Sequence, residues 1–284
     1  MRFPPTSFPR LSGSWRRARC WLWQAGLLLS AAGTLRGAPA VEEGWRDLAG
    51  YLFHDAHEVF LRASTGSERG RVLGAAASLL NDSPVTAAKV AEVEAQLRGL
   101  LADRAADEPA ICARYLLARI AHLHRPAEIA EIEAGYRAVI AMAPAHPLAQ
   151  LAAGKLALVL LYQRPDLGVP ARLAAAAELA PIAGAAQLPE TGCAYYRALA
   201  GAALYYDVLD ERVLAWLVRA DVLETHDIVT ATSLRLQLAE VARALGHREQ
   251  ALAYYRQFLA TAVSTDNRYR TAAERMAELA KATP

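Results

Sequence analysis

Apolar residues recur along most of the chain at intervals of three and four, and no run alternates apolar with polar residues long enough to make a strand. Near the C-terminus Leu234, Leu238, Val241 and Leu245 share one stripe. Gly246 and His247 interrupt it, and Ala251, Tyr255, Phe258 and Ala262 form a second stripe. That pattern predicts two antiparallel helices joined by a tight turn. Upstream, Ile129, Ile132, Tyr136, Val139 and Ala143 form a stripe that stops at Pro144 and Pro147, whose rings cannot continue a helix. The next segment, PLAQLAAGKLALVLLY, starts at Pro147 and is apolar on two sides. Leu148, Ala152, Leu156 and Val159 lie on one, Leu151 and Leu158 on the other, so this helix is expected to be covered from two directions.

Proline and small polar residues mark the other boundaries. Asp82-Ser83-Pro84 predicts a helix start with Ser83 as cap and Pro84 in the first turn. Asp107-Glu108-Pro109, Arg125-Pro126, Leu188-Pro189-Glu190 and Ser264-Thr265-Asp266 mark further ones. Asp207, Asp210 and Glu211, beside Tyr205 and Tyr206, read as caps at a helix junction. The connections are short, so consecutive helices are antiparallel neighbours, and the chain divides into roughly ten to twelve of them. The composition agrees: 54% of residues are hydrophobic and 21% charged, and many of the apolar ones are alanine, which favours helix and close helix packing.

Charge is uneven. Residues 1–40 hold Arg2, Arg10, Arg16, Arg17, Arg19 and Arg36 and no acidic residue. Of 31 basic residues, setting those six aside leaves 25 against 29 acidic ones, a formal balance of −4 where the whole chain has +2. No Arg/Lys stripe with interleaved aromatics runs through the remainder, so nucleic acid is not an expected partner. The leader itself has the form of a secretory signal. RRAR at 16–19 precedes the uncharged stretch CWLWQAGLLLSAAGTL from Cys20 to Leu35, and Ala38-Pro39-Ala40 follows as a small-residue site. The expectation is export, to the periplasm or beyond, with residues 1–40 either cleaved or kept as an anchor. That segment is the sole expected membrane contact.

Beyond the leader stand two cysteines, Cys112 and Cys193, in similar surroundings, EPAICARYLLA and PETGCAYYRALA. Equivalent positions two hairpins apart would lie roughly 20 Å from each other, past the ~7 Å Cα separation a disulfide allows. Two buried thiols are expected.

The segment LAEVARALGHREQALAYYRQFL (238–259) resembles a tetratricopeptide repeat. Leu238 and Ala239 match the leucine and small residue of its first helix, Gly246 its turn, and Ala251 and Tyr255 the small and aromatic packing positions of its second helix. Tyr136, Val139 and Pro144 resemble the end of another repeat, and Ala153-Gly154 the small pair opening the next. Phe258 departs from the pattern, which favours alanine there. The resemblance implies an all-α fold, a right-handed superhelical stack of antiparallel hairpins, or else a more divergent helical-hairpin array with the same class of function. The expected organisation is a leader at 1–40, a helical region without clear repeat at 41–108, and repeat-like hairpins at 109–284. In the family, partner peptides lie along the face made by the first helices. The resemblance carries that face onto Leu151 and Lys155 in the middle of the chain and onto Leu236, Glu240 and Arg243 in the last repeat.

Chemistry has little to rest on. The chain has no Gly-rich phosphate loop, no GxSxG and no Cys-x-x-Cys. His54 and His57 in YLFHDAHEVF share a helix face, a spacing that would suit two metal ligands, but a third is not identifiable and HExxH is missing. The expected function is therefore a scaffold or adaptor of the cell envelope that binds another protein or peptide, with no catalytic residue, cofactor or metal. A periplasmic enzyme or metal protein using the His54/His57 region is the alternative.

Overall fold

A computed structural model describes residues 39–63, 66–103, 106–223 and 227–281. The expected leader lies almost wholly outside them. Among the described residues the regular structure is all helix, in fourteen segments: α1 (Pro39–Ala49), α2 (Phe53–Arg62), α3 (Glu68–Asn81), α4 (Ala87–Gly99), α5 (Glu108–His124), α6 (Ile129–Met142), α7 (Pro147–Tyr162), α8 (Val169–Ala177), α9 (Ala180–Ala183), α10 (Pro189–Tyr205), α11 (Glu211–Val222), α12 (Ile228–Ala244), α13 (Arg248–Thr261) and α14 (Tyr269–Lys281). Helices that follow one another pack in pairs. The chain divides into two compact units, one ending at Ile120 and one starting at Ala121.

In the first unit α1, α2, α3 and α4 pack in sequence, and α1 also meets α3. Phe60 of α2 is fully buried at the centre, edge-on to Trp45 with ring centroids 5.1 Å apart. Two glycines make room for its ring. A β-carbon on Gly74 would stand 2.3 Å from it and one on Gly44 2.9 Å, closer than non-bonded carbons approach. Arg69, at the start of α3, holds the segment between α4 and α5, reaching Asp107 at 2.7 Å, Asp103 at 2.9 Å and the Leu100 carbonyl at 2.7 Å.

The helix start expected at Ser83-Pro84 falls three residues later. Thr86, in extended conformation, accepts the Lys89 N–H at 3.2 Å and opens α4 at Ala87. Lys89 in turn reaches back to the Asp82 carboxylate at 2.7 Å, holding Ser83 and Pro84 in the loop. Asp107, by contrast, caps α5 as read, accepting the Ala110 N–H at 3.0 Å, and Asp210 caps α11. Pro147 and Pro189 each open a helix.

In the second unit α7 is the hub, in contact with α6, α8, α9 and α10. Leu148, Ala152, Leu156 and Val159 are buried as the pattern predicts. The second covered side differs from the prediction: Leu151 and Leu158 are only half-buried, and Ala149, Ala153, Leu160 and Leu161 are buried instead. Small alanines let neighbouring backbones close in, so the buried side follows the alanines. The hairpin α12–α13 turns at Gly246, whose φ of +84° suits glycine. The His247 N–H bonds the Ala242 carbonyl at 2.8 Å and the Gly246 N–H bonds that of Arg243 at 3.1 Å, closing α12 with a Schellman turn. Tyr255 and Phe258 fill the space between the two helices with no exposed surface.

Candidate partner-binding site

Leu236, Glu240 and Arg243 are four and three residues apart on α12 and so share one face of it. Two adjoining clefts run along that face. The larger, about 460 Å³, is lined among others by Leu204 and Leu209 from the end of α10 and the loop beyond it, by Leu236, Glu240 and Arg243, and by Arg268. The smaller, about 250 Å³, shares Leu236, Glu240 and Arg268 and adds Asn267, Thr271 and Arg275. Leu151 and Lys155, one turn apart on α7, are half-buried and line neither cleft.

Glu240 is the electrostatic centre. Its carboxylate accepts the Tyr255 hydroxyl at 2.6 Å, Arg243 Nη2 at 3.1 Å, and Arg275. Burial pushes the carboxyl up, but the hydrogen bonds from Arg275, Tyr255 and Arg243 outweigh it and hold the group below the ordinary carboxylate range. The same contact works the other way on Tyr255, whose phenol is pushed up to about 12 by burial and by the neighbouring carboxylate. Arg268, in the turn before α14, is held by Asp266 at 2.6 Å, donates to the Ser233 hydroxyl at 3.2 Å and lies over the Phe258 ring.

Sequence reasoning missed Leu204, Leu209, Arg268 and Arg275, all supplied from outside the 238–259 segment. Asp266 followed by Arg268 is a turn signature that would have drawn attention to the latter; Arg275 carries no such signal.

His54 is exposed and His57 half-buried on α2, where His57 Nδ1 donates to the Ala75 carbonyl at 3.1 Å. Among the described residues no three His, Cys, Asp or Glu side chains gather as a metal would need. Cys112 and Cys193 are both buried thiols, the former's pKa raised by burial and by Glu108 at 3.7 Å. No helix among the described residues is long and apolar enough to cross a membrane. No family model matches the chain, and no curated protein matches it.

Proposed function

We propose that the chain is an exported scaffold or adaptor, periplasmic or secreted, that holds another protein or peptide of the cell envelope and carries out no catalysis. In this reading its hairpins form a right-handed, tetratricopeptide-like superhelical stack, and the partner lies along the first helices. Lys155 and Leu151 extend the same docking face from α7. The observation that carries the reading is the pair of clefts along α12, which follow the first helix of the one hairpin whose residues resemble the family most fully. A concave surface with an apolar floor and a few fixed polar groups is the usual form of a recognition site.

Affinity capture from an envelope fraction tests it. The full chain is expected to retain a specific protein that Leu236→Asp loses and Lys155→Glu retains more weakly. Retention of the same proteins by the full chain and by Leu236→Asp would overturn the proposal. The alternative, a periplasmic enzyme or metal protein using His54 and His57, finds no third ligating side chain beside that pair among the described residues.

A further inference from the structure

The clefts on α12 have a composition that selects among peptides. Their floor is aliphatic, with Leu204, Leu209, Leu236 and Val241. Leu204 and Leu209 face water, 36% and 42% exposed, though both are large and apolar. Around that floor stand three guanidinium groups from three elements: Arg243 at the end of α12, Arg268 in the turn before α14 and Arg275 on α14. Two carboxylates answer them among the described residues. Asp266 takes Arg268, while Glu240 takes both Arg243 and Arg275 in addition to the Tyr255 hydroxyl. The cleft therefore holds one more cation than anion, and the excess is shared by two arginines that are each 38% exposed. A guanidinium has five N–H donors in a planar fork, so two of them on one carboxylate have more donors than it can accept and can serve a further anion.

We propose that this cleft docks a partner segment in which an aliphatic side chain is followed closely by a carboxylate, the first seated on Leu204, Leu209 and Leu236 and the second reaching Arg243 and Arg275. This rests on the reading of the α12 face as a docking surface and names the chemistry of what docks. The carboxylate turns one shared ion pair into two, and the apolar contact removes Leu204 and Leu209 from water. The residues that line the clefts include no aromatic on which a nucleobase could stack. The chain's own residues 1–40, with six arginines and no acidic residue, have no carboxylate side chain to offer this cleft.

Fluorescence anisotropy with the full chain tests the assignment. The probes are a labelled peptide alternating leucine with glutamate, its leucine–glutamine and serine–glutamate counterparts, and an oligothymidine. The leucine–glutamate peptide is expected to bind about tenfold tighter than either counterpart and to weaken about tenfold on Arg243→Gln or Arg275→Gln. Thermal melts accompany each variant; since Arg243 is exposed, its replacement keeps the test open even if Arg275→Gln fails to fold. Equal binding of the leucine–glutamine peptide would overturn the carboxylate assignment while leaving the docking surface in place. Preference for the oligothymidine, or no binding of any peptide, would overturn the proposal. If Leu236→Asp still lost a captured envelope protein, the face would remain a docking surface for a different chemistry.

Discussion

Gln150 is 1% exposed, inside a helix whose other buried positions are all apolar. Its carboxamide accepts the Leu188 N–H at 2.9 Å and donates to the carbonyls of Ala185 at 2.6 Å, Leu188 at 3.1 Å and Ala183 at 3.2 Å. One side chain thus pins the linker between α9 and α10 onto α7. Leucine at this position has similar volume but leaves those backbone groups without a partner in a dry site, at about 1–3 kcal/mol for each group fully stranded. Gln150→Leu is expected to destabilise the protein by roughly 2–4 kcal/mol after partial relaxation. Chemical denaturation measures it, and a loss below about 1 kcal/mol would mean that water reaches the linker. The same position shows a limit of sequence reading. In PLAQLAAGKLALVLLY the lysine draws attention as the charged outlier, yet a lysine can extend to solvent along its own methylenes. The shorter glutamine cannot, and it was the better sign of a buried network.

At the scale of elements, the α12–α13 hairpin was legible because its signals are local and agree: an apolar stripe, a glycine where the chain must turn, and a second stripe. Gly246→Ala puts a β-carbon at φ +84°, so stability should fall by about 1–2 kcal/mol although no atom lies within 4 Å of the added carbon. An unchanged denaturation midpoint would show that the turn relaxes to another closure. A regularity in how helices meet was not legible. Tyr136 on α6 bonds His122 on α5 at 2.9 Å, and Tyr255 on α13 bonds Glu240 on α12 at 2.6 Å. In each case the tyrosine of a second helix reaches a polar group of the first, 14 and 15 residues back, but the polar partner differs and no residue pattern announces it. The helix total was underestimated for a related reason. The four residues of α9 are too short for a stripe, and the nine of α8 make little more than two turns. Candidate-site residues were readable on α12, where the stripe fixes which face is left over. Arg268 and Arg275 were not, since they reach the cleft through tertiary placement of α14.

For the molecule as a whole, the carboxylates fix the response to acid. Asp266 is held at about 2 by the Arg268 side chain and backbone N–H; Asp107 is lowered chiefly by Arg69, Asp82 by Lys89 and Asp210 by Arg212. A carboxylate with a folded pKa below its unfolded value contributes stability that is present above the unfolded pKa and lost as pH falls through the folded one. The thermal midpoint should therefore hold from neutrality down to about pH 5 and fall between about pH 4.5 and 2. Asp221, raised by burial, acts in the opposite sense and softens the fall. A midpoint that stays level to pH 2 would show that these pairs are screened out. The hub position of α7 has a different consequence, for the order of assembly. Because neighbours on several sides cover it, no single hairpin can shield it, and a nascent chain that has reached Tyr162 but not Tyr205 presents a sixteen-residue greasy rod to its surroundings. Misassembly is expected to begin there, in the interval before α10 arrives, so truncation after Tyr162 should aggregate where truncation after Tyr205 does not.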